Sequence, residues 1–141
     1  MARANRVCTT PSDPIYAAIE RHKNAVRLWA VATAIGNAFP DGANPMTLEQ
    51  QAQIDAAVAG ARLPLIDAGL DLIETAPSTV DGIVAALEYI RDQMHYGGAF
   101  MPADIVLDDT AAPRRGWLDI FVDTLADAAG DILAQQKESQ T

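Results

Sequence analysis

This chain predicts an all-α fold, an antiparallel bundle of four main helices at about 14–38, 48–75, 79–96 and 114–136. Three observations carry the expectation. Apolar residues recur at the three- and four-residue spacing of helices, not at the alternation of strands. Alanine is heavily used while valine, threonine and the aromatics are modest, which favours helix over sheet. Cap signatures open the periodic stretches: Asp13-Pro14, Thr47 with Gln50, and Ser78 with Asp81. With 141 residues, half of them hydrophobic, the chain is long enough for one domain with a real core, residues 13–136. Residues 1–12 read as a flexible tail and 137–141 as a polar one.

The first helix opens on Asp13 as N-cap and Pro14 at the first helical position. Its stripe Ile15, Ile19, His22, Val26, Trp29, Thr33 and Gly36 keeps 4-3 spacing, as in a helix packed lengthwise on a partner. A second ridge, Leu28, Val31 and Ile35, widens the apolar face. Pro40 ends the helix by about residue 38. In the second helix Ile54, Val58, Ala61, Leu65 and Leu72 share a face. Pro64 lacks an N–H and crowds the carbonyl one turn earlier, so a kink or break is expected between Gly60 and Leu63.

Pro77 separates the second helix from the third, which Ser78 and Asp81 cap. The third helix is expected to bury Val80, Ile83, Val84, Leu87, Ile90 and Met94. Gly82 permits a close helix crossing, and Gly97-Gly98 supplies the stop. A long connection, 98–113, holds Phe100, Met101, Ile105, Val106 and Leu107, and so is expected to lie on the bundle. The last helix has Trp117, Leu118, Phe121, Val122, Leu125 and Leu133 on its expected buried face, with Ala128, Ala129 and Ile132.

The net charge of −9 argues against a nucleic-acid surface, which needs clustered cations. Charge is uneven: residues 1–30 carry an excess of three positive charges, leaving −12 for the remainder. The single cysteine, Cys8, allows no intrachain disulfide. Polar residues interrupt any apolar signal segment near the start, and no window approaches the ~20 apolar residues of a membrane span. A cytoplasmic protein without membrane or nucleic-acid partners is the expectation.

Asp13-Pro14-Ile15, Ala18-Ile19-Glu20 and His22, followed by Pro77-Ser78-Thr79, Gly82, Ala85-Ala86-Leu87 and Tyr89, resemble a group of short bacterial proteins of no known activity. Members of that group open with an Asp-Pro-Ile…Ile-Glu-x-His helix. They carry a later helix start of the form Pro-Thr-Thr…Gly…Ala-Leu-Leu-x-Tyr. The resemblance covers about a quarter of the chain and implies a helical fold and no site.

Candidate chemistry is sparse. Glu88, Asp92 and His95 share a helix face and could approach a metal, yet di-iron bundles need Glu from two helices and Glu-x-x-His from two others. Glu20 and His22, two apart on a helix, point away from each other. No metal or cofactor is therefore expected. His22 sits on the apolar stripe, either as a satisfied core or interface histidine or as a proton carrier. Asp119, Asp123, Asp127 and Asp131 form a like-charged ladder, a solvated edge or a surface for a cationic protein. Cys8, Ser12, Ser78 and Ser139 lie in tails or caps, and no nucleophile elbow or phosphate loop appears. The expected function is thus non-enzymatic: a self-associating or protein-interaction module, pairing as a homodimer or other homo-oligomer through helix 14–38. The alternatives are a small-molecule pocket beneath loop 99–107 and, third, a metal-dependent enzyme.

Overall fold

The computed structural model describes residues 12–37, 47–95, 100 and 116–140. These form four helices and no strand: α1 (Pro14–Asn37), α2 (Leu48–Glu74), α3 (Val80–His95) and α4 (Trp117–Ser139). The expected tail before Ser12, with Cys8, lies outside the described residues, as does the connection 98–113 apart from Phe100. α4 continues to Ser139, so most of the expected polar tail is helix.

The helices form a ring in which α1 and α4 each lie beside both α2 and α3, and the α1–α2 pairing is the most extensive. Ile15 and Ile19 of α1, Leu72 and Ile73 of α2, and Ala86 and Ile90 of α3 meet Phe121 and Leu125 of α4 in one buried cluster. Phe100 is part of that cluster. Thr124 of α4 donates its hydroxyl proton to the Ile73 carbonyl (2.7 Å), one of the last-turn carbonyls of α2 that helix geometry leaves unpaired. No helix among the described residues is long and apolar enough to cross a membrane.

Thr47 and Gln50 close the expected capping box on α2: the Gln50 N–H donates to the Thr47 hydroxyl (3.1 Å) and the Thr47 N–H to the Gln50 side chain (3.0 Å). α2 then runs through Pro64 as one helix, without the break that Pro64 suggested. Pro64 is exposed. Its missing N–H and its ring both sit on the solvent side, where water can take the freed carbonyl.

Three expected faces are corrected. On α3, Val80, Val84, Leu87 and Met94 are exposed, 46–64%, and the buried side is Gly82, Ala86, Tyr89 and Ile90. The small residues decide this, because the side without bulk comes closest to α1. On α4, Leu118, Val122 and Leu133 are exposed, while Phe121, Leu125 and Ala128 are buried. On α1 the stripe divides. Ile15, Ile19 and His22 are buried within the fold, Val26, Trp29 and Thr33 are half-buried, and the ridge Leu28, Val31 and Ile35 faces solvent.

Candidate functional site

Two buried polar residues, Asp13 just before α1 and His22 within it, tie α1 to α3: Asp13 bonds the residues that lead into α3 and His22 bonds Tyr89. Asp13 is 5% exposed. Its Oδ1 accepts the Ile15 N–H (3.1 Å), capping α1. Its Oδ2 accepts the Ser78 N–H (3.0 Å), the Thr79 N–H (2.9 Å) and the Thr79 hydroxyl (2.7 Å) at the start of α3. One carboxylate therefore serves two helix N-termini, where backbone donors and the helix dipoles both favour a negative charge. Burial pushes the carboxyl pKa up. The bonds from Thr79, Ile15 and Ser78 outweigh that and hold it below its ordinary 3.8.

Thr79, not Ser78, is the N-cap of α3. Its Oγ1 accepts the Gly82 N–H (3.0 Å), and its carbonyl accepts the Ile83 N–H (3.1 Å). The reason for Gly82 is explicit in the geometry. A Cβ there would stand 2.0 Å from Asp13 Oδ2 and 3.1 Å from Ile15. Only a residue without a side chain lets the carboxylate lie across the first turn of α3.

His22 is fully buried. Its Nε2 lies 2.7 Å from the Phe100 carbonyl oxygen, which can only accept, so Nε2 carries the proton. Nδ1 is then the acceptor, and the Tyr89 hydroxyl donates to it at 2.6 Å. Burial lowers the imidazole pKa from 6.5, against the bond to Phe100, which raises it. Burial also pushes the Tyr89 phenol up to about 12; the Glu20 charge adds to this and Arg27 opposes it. Neutral imidazole and protonated phenol are the mutually consistent states. The Phe100 ring is held on both sides, tilted over His22 at a centroid distance of 4.3 Å and stacked on Trp117 at 4.0 Å.

Chemically this arrangement is a latch. Both imidazole nitrogens are occupied and no atom of the ring reaches solvent, so His22 has no free position from which to move a proton on a bound molecule. Of the other candidates, Glu88 and Asp92 are exposed, and Arg91 lies 3.7 Å from Asp92. The His95 side chain lies outside the described residues. Among those described, no group of three His, Cys, Asp or Glu could hold a metal. Asp119, Asp123, Asp127 and Asp131 all lie on the exposed face of α4, and Asp119 also accepts the Gly116 N–H (3.3 Å). Of loop 99–107 only Phe100 lies within the described residues, and it is buried in the core.

A groove of about 540 Å³ runs between α1 and α2, with Ala25 and Leu28 on one wall and Pro64 and Ala68 on the other. Arg21 and Asp71 close one side of it as an ion pair.

Sequence reading named Asp13, His22 and Gly82 but not their partners. Thr79 and Tyr89 both stand in the second of the two segments that carry the resemblance, and the structure bonds that segment to Asp13 and His22 in the first. Phe100 gave no signal beyond its hydrophobicity. The chain matches no family model, no curated protein and no solved structure.

Proposed function

We propose that the protein acts through protein–protein contact, as a self-associating helical module and not as an enzyme. One observation carries this reading: large apolar side chains stand in solvent at helical spacing. Leu28, Val31 and Ile35 do so on α1, and Val80, Val84, Leu87 and Met94 on α3. Apolar side chains scattered singly over a surface are ordinary, whereas aligned ones mark contact surfaces. The buried polar groups support the same reading, since Asp13, His22 and Tyr89 spend their bonding capacity within the fold.

The mass of the full chain in solution tests this. Light scattering at tens of micromolar is expected to give twice the monomer mass of 15.0 kDa. A monomer over the whole range to 100 micromolar removes self-association.

A further inference from the structure

We infer that His22, Tyr89 and Phe100 form an acid-operated latch: a proton taken from solvent by His22 at Nδ1 releases Phe100 from the core while the four helices stay assembled. The device lies beyond self-association and does not depend on it.

The closed geometry suits a neutral ring and not a charged one. Nε2 gives its proton to the Phe100 carbonyl oxygen, and Nδ1 faces the Tyr89 hydroxyl at 2.6 Å. Once Nδ1 carries a proton, that hydroxyl must turn and accept, and its own proton loses the acceptor it had. Nor does an anion stand ready for the imidazolium. On α1, Glu20 is held by Lys23 at 3.0 Å, Lys23 Nζ lies 5.8 Å from the Tyr89 ring centroid, and Arg27 bonds Asn24. On α3, Glu88 and Asp92 are exposed. Asp71 of α2 is taken by Arg21. α4 presents Trp117 and Phe121 to Phe100, both without charge. A fully buried cation without a counterion is unfavourable, and burial lowers the His22 pKa accordingly.

Phe100 is the member that gives way. Of the three it alone lies outside a helix. Its carbonyl bonds His22, and its ring rests between His22 and Trp117. α1 and α3 have a second tie, from Asp13 to Ser78 and Thr79. Mild acid leaves that tie intact, because those bonds hold the Asp13 carboxyl below 3.8. Parting the helices would forfeit the tie and the core between them, whereas releasing Phe100 forfeits one bond and one buried ring. Local opening therefore precedes global opening. Water entering in place of Phe100 then solvates the imidazolium.

The sign follows from the two states. The open ring accepts a proton near the ordinary 6.5, and the closed ring refuses it. As pH falls below 6.5 the ratio of open to closed latch rises, by about tenfold per pH unit, until the closed ring titrates as well. Opening uncovers one face of Trp117 and the core beside Phe121. Acid thus exposes an apolar surface that neutral pH keeps closed.

Tryptophan fluorescence of the full chain, titrated from pH 8 to pH 5 beside its helical circular dichroism, tests the latch. Trp29→Phe leaves Trp117 as the only tryptophan. Its emission is expected to move to longer wavelength below pH 6.5 while the helical signal is kept. Nitrogen-15 spectra of the His22 ring, assigned in His95→Gln where it is the only histidine, should titrate with the same midpoint. Adding His22→Gln keeps an amide donor for the Phe100 carbonyl but takes up no proton, and should abolish the shift. Emission and helical signal that change together overturn local release. An imidazolium that forms with Trp117 unmoved overturns the coupling to Phe100. A ring that stays neutral until the helices unfold overturns the latch, as does a shift that persists in His22→Gln.

Discussion

Gly82 is where a single atom has the clearest consequence. Alanine is the better helix former by roughly 1 kcal/mol. At Gly82, however, the added methyl would occupy the place of Asp13 Oδ2. Displacing that carboxylate forfeits charge-assisted bonds worth about 1.5–3 kcal/mol each. Gly82→Ala is therefore expected to lower unfolding stability by on the order of 3 kcal/mol. Gly130→Ala, where nothing lies within 4 Å, is expected to raise it by up to ~1 kcal/mol. Urea denaturation of the two variants gives opposite signs if the tie is as described. The same residues set the pH response. The folded imidazole pKa of His22 is depressed, so below about pH 6.5 the unfolded chain takes up a proton that the folded chain refuses. Stability falls as pH drops through that window. The depressed carboxyl pKa of Asp13 adds a second loss as pH falls below 3.8 toward its folded value. Melting temperatures between pH 8 and pH 3 should show both declines, and His22→Gln should remove only the first.

At the scale of elements, Pro64 shows how far local rules reach. It breaks the pattern of a helix, yet α2 continues past it because the turns on either side are anchored by the buried Ala61 and Leu65. Proline in a helix interior is about 3 kcal/mol worse than alanine. Pro64→Ala is expected to raise the urea midpoint, by roughly 1–3 kcal/mol in stability, with an unchanged denaturant slope. The existence and type of all four helices were legible from spacing and caps, and so was the buried half of the α1 stripe. The burial side of α3 was not. Its most hydrophobic residues made one convincing stripe, but the distance of closest approach is set by Gly82 and Ala86, which score as weak in any hydrophobic pattern. Nor could spacing join Asp13 to Thr79 or His22 to Tyr89, since such pairs depend on which helices become neighbours.

Across the whole molecule, the polar latches lie where α1 meets α3, while exposed apolar side chains stand on both of those helices, on faces turned away from the latches. The Asp13–Thr79 tie joins residues 66 apart, and the His22–Phe100 bond joins residues 78 apart. During synthesis the first helix therefore leaves the ribosome long before the start of α3 that its Asp13 will bond, and α1 and α2 are free to pair first. Closing the tie belongs to the final ascent to the native state, after most of the chain entropy has been surrendered. Loosening it would then quicken escape from the native state and leave the approach to it nearly untouched: Gly82→Ala should accelerate unfolding by about 100-fold while refolding changes little.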